Sequence, residues 1–375
     1  MRNYHGLWKS IGVALALVSC SSARSVPDQD AELLGKLSGT FLTNCPNDKA
    51  AVCILELGED PQFRETGIQT GPVAEAATDV TSHLFAWATY DPESNLSRTH
   101  VVGVENAADT EFEHVGLVNG LWLSNGGRYL VVRLFDPATR SESCYHTETY
   151  DLSQGSPIDV LAGYCVWGFA WASTLPEFVA SISKPGDAGS SLARGEVATN
   201  TLQELQPRVS GEVQIDLSWS PDDQMLAYRD ASSASQTPEV LHVLWSDSGI
   251  SVVEAHPVGY ALYAWAPDST RIAFVGWSPI STPGDRAAVD VHILDVETGD
   301  VGYLTNTRVY TRFNTYDSGG IDIERVAWLP QSDSVVFSWD IDNQSWIVAT
   351  STTGGGSTEI AGYEYHPQYF YPYDP

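Results

Sequence analysis

The chain reads as an all-β protein: a single β-propeller of seven blades, each of four antiparallel strands, with a C-terminal strand closing the first blade. Three observations predict this. Short apolar segments carrying a tryptophan recur, at Trp87, Trp122, Trp171, Trp219, Trp265 and Trp328, with gaps of 35, 49, 48, 46 and 63 residues. Each is followed by a polar turn and a second strand that alternates or runs apolar, and later by weaker third and fourth strands. Helix signals are nearly absent. Six anchors make six blades the alternative count.

The elements follow in chain order. Residues 1–19 read as a lipoprotein signal peptide. Arg2 and Lys9 give a positive start, and Ile11 to Val18 is an apolar run too short to span a bilayer. The run ends in "LVSC", Leu17 to Cys20, which resembles the bacterial lipobox. That resemblance implies cleavage before Cys20 and acylation of its sulfur. Anchoring through acyl chains contributes about 0.8 kcal/mol per buried CH₂, and stable attachment takes more than one chain. Ser21 after the cysteine is not aspartate, which by the same resemblance favours the outer membrane of a Gram-negative cell, at its periplasmic face or at the cell surface. An ordinary signal peptide, cut near Ser22 or Ala23, is the other reading. Residues 20–36 are polar and aperiodic, a lipidated tether. Residues 37–375 are left for the propeller.

Within the repeats the turn has a mechanism. In "LSWSPDDQMLAYRD" and "YAWAPDSTRIAFVG", Pro221 and Pro267 preset φ for the first corner, and Asp222 and Asp268 can cap it through an Asx bond. Asn125-Gly126-Gly127 serves the same purpose with glycine. These turns, with the tail "LDVETGDVGYLT", resemble the TolB-type, WD-like propeller repeat. The match is specific at Trp219, Trp265 and Trp328 and degraded at Trp87, Trp122 and Trp171. The resemblance implies a fold, and only faintly a partner. The chain departs from it in having no room for an N-terminal α/β domain.

The segment before Trp87, from "GTFLTNC" onward, supplies a hairpin and a third strand but no inner strand. At the other end "GYEYHPQYFYPY" (362–373) follows a complete unit, so it is expected to supply that inner strand and remove two free sheet edges. Tyr363 to Phe370 read as the closing strand, with His366 at its anchor. Tyr371 and Tyr373 read as surface groups kept out of regular structure by Pro372 and Pro375. One tryptophan per blade at a fixed place reads as packing between blades rather than as a carbohydrate platform.

Setting Cys20 aside, four cysteines remain in a chain that reads as exported, and this implies two disulfides. Of three connectivities, local pairing of Cys45 with Cys53 and of Cys144 with Cys165 is the natural one. With strands labelled a to d from the axis outward, all four then lie toward the face bearing the b–c and d–a connections. Zinc is the alternative, without a CxxC or paired-histidine spacing beside it.

The formal net charge of −29 argues against nucleic acid or anionic lipid surfaces as partners. A GxSxG elbow with a following α/β domain, HExxH, a P-loop and an EF-hand loop are all missing. "DIDN", Asp340 to Asn343, reads as a polar hairpin turn rather than a calcium loop. The nine histidines are scattered singly.

Loops between blades rim one mouth of the central channel. The candidate ligand residues there are His83, His114, Asn119, Asp216, Tyr260, Asp322, Glu324 and Arg325. Asp216 breaks an apolar strand and must be paired or wet. If a divalent cation such as Ca²⁺ binds at all, Asp216, Asp322 and Glu324 supply its oxygens. No cofactor is otherwise expected. The leading expectation is a monomeric, non-enzymatic envelope lipoprotein, anchored to the membrane by lipid, that binds a protein or peptide partner on its loop face. The alternatives are a propeller hydrolase, lactonase or lyase with a metal at the channel mouth, and a glycan-binding lectin.

Overall fold

The computed structural model describes residues 38–373 apart from 59, 80, 106–107, 136–143, 208–210, 233–239, 246–248, 256–262, 279–287, 305–325, 332, 342–343, 353–356 and 364–369. Among the described residues, 28 strands form seven four-stranded antiparallel sheets.

Blade 1 combines β1 (Gly39–Cys45), β2 (Asp48–Leu57) and β3 (Gln62–Gln69) with the last strand of the chain. Blade 2 is β4 (Glu75–Asp79), β5 (Leu84–Asp91), β6 (Leu96–Gly103) and β7 (Asp109–Val115). Blade 3 is β8 (Leu117–Leu123), β9 (Tyr129–Phe135), β10 (His146–Asp151) and β11 (Ser156–Ile158). Blade 4 is β12 (Cys165–Trp171), β13 (Glu177–Ser183), β14 (Ser191–Glu196) and β15 (Thr201–Gln206). Blade 5 is β16 (Glu212–Trp219), β17 (Met225–Ser232), β18 (Leu241–Trp245) and β19 (Gly249–Ala255). Blade 6 is β20 (Tyr263–Trp265), β21 (Arg271–Ser278), β22 (Ala288–Asp295) and β23 (Val301–Tyr303). Blade 7 is β24 (Val326–Trp328), β25 (Ser334–Ile341), β26 (Gln344–Ser351) and β27 (Ser357–Tyr363), and the inner strand of blade 1 is β28 (Phe370–Tyr373).

The ring therefore closes as expected, through antiparallel pairing of β28 with β1, Thr40 opposite Tyr373 and Thr43 opposite Phe370. The closing strand is shorter and later than the sequence reading had it. Tyr371 and Tyr373 lie in the strand, not outside it, and Tyr363 ends β27, while His366 falls outside the described residues. Pro372 is part of β28, opposite Phe41, rather than a breaker. An innermost strand pairs on one side only, so a missing N–H can be tolerated there.

Alternation along each strand sends successive side chains to opposite neighbours, and each interface holds its own apolar core. Phe41 faces blade 7 with Ala327 and Val336, while Leu42 faces blade 2 with Phe85 and Trp87. Tyr129 and Val131 of blade 3 meet Phe169 and Phe178 of blade 4. Clusters of this kind join all seven successive pairs, the last returning from blade 7 to blade 1.

The tryptophan pattern needs two corrections. Trp171, Trp219, Trp265 and Trp328 do occupy one register, at the outgoing end of the inner strand. Three of their indole N–H groups donate to a carbonyl on the inner strand of the preceding blade: Trp171 to Trp122 at 3.3 Å, Trp265 to Ser218 at 3.1 Å and Trp328 to Ala264 at 3.0 Å. Trp122 sits one residue earlier, with Leu123 in the repeat position. A one-residue shift turns a side chain to the other face, so Trp122 packs forward on Phe169 of blade 4, with ring centroids 5.5 Å apart. Trp87 lies on the second strand of its blade rather than the first, which explains the short gap to Trp122.

The a–b turns stiffen one face. Gly127, Asp223 and Ser269 hold the same place in three of them, each with positive φ (63, 57 and 60°) and each donating its N–H to the residue three before it at 2.9 Å. The Asx caps form as expected: Asp222 Oδ1 accepts from Gln224 N at 3.2 Å and Asp268 Oδ1 from Thr270 N at 3.0 Å. These turns also reach sideways. The Asp223 carboxylate accepts from Ser173 N at 2.5 Å and Thr174 N at 2.7 Å, in blade 4. Asp222 N donates to Ser269 Oγ, in blade 6, at 3.2 Å. A side chain at Gly127 would strike Ser82 and Leu84 of blade 2.

The opposite face carries the b–c and d–a connections and both disulfides. Cys45, ending β1, bonds to Cys53 within β2. Cys144, just before β10, bonds to Cys165 at the start of β12, clamping a blade 3 loop to the inner strand of blade 4.

Candidate functional site

The expected rim residues do not converge. Tyr260, Asp322, Glu324 and Arg325 lie outside the described residues. His83 sits in the β4–β5 turn, on the laced face rather than the loop face, with Nδ1 3.4 Å from Glu105 Oε1. Its placement before Trp87 misled because Trp87 is on a second strand. His114 lies on β7, an outermost strand, with a fully buried side chain. Its Nδ1 is 2.7 Å from Glu148 Oε2 and its Nε2 is 3.1 Å from Thr99 Oγ1, so it joins blades 2 and 3 away from the axis.

Asn119 and Asp216 do lie on inner strands. Both sit at irregularities, where β8 shifts register between Val118 and Gly120 and β16 between Ile215 and Ser218. β12 shifts at Trp167 between them. An extra residue at a bulge is left out of the ladder and its groups turn aside. Three consecutive inner strands thus present loosened backbone to the interior, and two arginines answer it.

Arg229, on β17, is fully buried. Its Nε donates to Asp216 Oδ2 at 2.7 Å, and its Nη2 donates to the same oxygen. Asp216 has φ of 52°, which aspartate tolerates better than most residues. The Tyr263 hydroxyl of blade 6 donates to the Asp216 carbonyl, with Ala227 O 3.1 Å away. Burial pushes that phenol well above its ordinary pKa. Asp216 is therefore paired, as an aspartate in an apolar strand must be. This commits the one described carboxylate of the three proposed metal donors to an arginine. Among the described residues no group of three histidine, cysteine, aspartate or glutamate side chains gathers as metal ligands would.

Arg133, on β9, was not singled out in the sequence. Its Nε donates to Asn119 Oδ1 at 3.1 Å, Nη2 to Asn119 O at 2.6 Å, and Nη1 to Trp167 O across the interface at 2.5 Å. Its guanidinium carbon stands 5.4 Å from the Trp122 ring centre and 5.0 Å from that of Tyr145. Burial lowers its pKa, opposed by the charges of Glu75, Tyr145 and Asp216. Arg133 opens onto a cavity of about 260 Å³ where blades 3–6 meet, lined also by Trp122, Trp167, Phe169, Asp216 and Tyr263. The signal that could have found it is a charge inside the apolar run "YLVVRLF", mirrored by Arg229 in "MLAYRD".

Ring, closure and blade count define the class: a seven-bladed β-propeller, the fold that the TolB-type resemblance implied. No protein-family model matches the chain, and no curated protein does. Solved structures resemble it in fold. A Bacteroides fragilis protein assigned as a 6-phosphogluconolactonase superposes with TM-score 0.56 at 8% identity, covering 90% of this chain and 98% of that one. Oligogalacturonate lyase from Vibrio parahaemolyticus gives 0.54 at 12%, over 83% and 91%. TolB from Acinetobacter baumannii gives 0.47 at 12%, over 87% and 80%. Among the described residues no helix is long and apolar enough to cross a membrane, which leaves β-barrels unaddressed.

Proposed function

We propose that this propeller is a non-catalytic scaffold of the bacterial cell envelope, acylated at Cys20, tethered through residues 20–36, and binding a protein or peptide partner on its loop-bearing face. It acts as a monomer and without a cofactor. The observation that carries this reading is the asymmetry of the two faces. One has short turns laced from blade to blade. The other has the longest connections, one of them, in blade 3, pinned by Cys144–Cys165, while Cys45–Cys53 staples the short β1–β2 hairpin. Loops fixed in advance lose less entropy on binding. A cleft of about 500 Å³ beside the b–c loop of blade 4, lined by Tyr164, Lys184, Asp187 and Glu204 among others, adds a recess to that face.

The test is affinity capture from envelope extract with the anchored protein, followed by the same capture after Cys144→Ser/Cys165→Ser exchange. A partner recovered by the first and lost by the second supports the reading. Turnover of a substrate by the chain lacking residues 1–20 in a broad hydrolase and lyase screen would contradict it. A Cys20→Ala chain is expected to leave the membrane fraction, and its retention there would remove the anchor.

A further inference from the structure

We infer that the cavity beside Arg133 binds the carboxylate of a small monoacid. This site lies in the interior between blades 3 and 6, so it stands apart from the scaffold reading and does not depend on it.

The argument begins with the charge. Among the described residues Arg133 has no carboxylate within ion-pair distance, although the chain holds 48 acidic residues against 19 basic ones. Its protein acceptors are one amide oxygen and two backbone carbonyls. A guanidinium has five N–H donors, and these three bonds leave one on each terminal nitrogen. A half-buried guanidinium that lacks an ion-pair partner is under-compensated. Glu75 and Asp216 act on it through space, but neither makes an ion pair with it, and Arg229 holds the Asp216 carboxylate. The cavity wall thus carries one compensated pair and one cation open to a ligand.

Shape and field narrow the ligand. A carboxylate meets the two terminal nitrogens of an arginine in a planar, two-point contact. Trp122, Trp167, Phe169 and Tyr263 offer an apolar body its surroundings. About 260 Å³ is below the range of roughly 300–1,000 Å³ usual for drug-sized ligands. The acidic protein as a whole repels polyanions, whereas one charge buried against Arg133 meets mainly the local cation.

The experiment is calorimetric titration of the full chain with phenylacetate, phenylacetamide and inorganic phosphate. Saturable binding of phenylacetate is expected, with the neutral amide and phosphate each weaker by about tenfold or more. Asn119→Asp gives Arg133 a carboxylate where the amide oxygen already accepts its Nε, and should weaken phenylacetate by about tenfold with the melting transition kept or raised. Arg133→Met should abolish binding. A tripeptide with a free C-terminus, set against its C-terminal amide, tells a peptide source from a free acid. Binding of the tripeptide acid alone still supports the carboxylate site. Failure of both acids to bind wild-type protein in the millimolar range overturns it, as does equal binding of acid and amide or indifference to Asn119→Asp. Loss of partner capture leaves these readouts unchanged, so the two readings fail separately.

Discussion

Arg133 and Arg229 occupy the same place, the fifth residue of the second strand, in blades 3 and 5. Both lean on a bulged inner strand. Arg229 finds a carboxylate there, Asp216, and reaches its Oδ2 with both Nε and Nη2. Arg133 finds an amide, Asn119, and adds two bonds to carbonyls of two blades. The difference lies on the facing strand: Arg133 pairs with Gly120 next to the bulged Asn119, whereas Arg229 pairs with Ile215 next to the bulged Asp216. It teaches that similar backbone irregularities can serve as a structural lock in one blade and as an open cationic site in another.

The largest expected effect lies with the lock. Asp216→Ala removes the carboxylate that two nitrogens of a fully buried guanidinium reach, and should destabilise the protein by about 3–5 kcal/mol in denaturant unfolding. Arg133→Met should cost less, about 1–2 kcal/mol, because the lost hydrogen bonds are partly offset by no longer holding a half-buried charge that has no ion-pair partner. If the second substitution proved the more damaging, the contrast between the two arginines would be wrong.

A smaller effect belongs to the outer pair that joins blades 2 and 3. The hydrogen bond with His114 holds the Glu148 carboxyl below its usual 4.5, against burial and with help from Tyr150. A depressed carboxyl adds stability above its unfolded pKa, and that contribution is lost as pH falls through the folded value. Wild-type stability should therefore fall with acid in that window, and Glu148→Gln should flatten the slope there. An unchanged slope in the variant would mean that the contact does not carry the dependence.

The ring was legible because it rests on repetition. Spacing, turn residues and a first blade lacking an inner strand gave seven blades, the closure and the disulfide pairs. Register within a blade was less legible. Trp87 and Trp122 each look like a repeat anchor, yet one is a strand late and the other a residue early, and neither shift changes composition. The closing strand was misplaced because proline is a poor guide at a singly paired edge. The candidate site was mostly invisible. Asp216 announced itself as a charge in an apolar strand, but its partner stands 13 residues away across a hairpin. Proximity to a tryptophan, which marks His83 and His114 in the sequence, does not say which face or which strand a residue occupies.

Diffraction from crystals soaked in 4-bromophenylacetate tests the contrast most directly, since bromine reports its own position. The account predicts an anomalous peak in the cavity lined by Trp122, Trp167 and Phe169, with the carboxylate on Arg133 and none on Arg229. A peak on Arg229, or an empty cavity with the acid bound elsewhere, would contradict it.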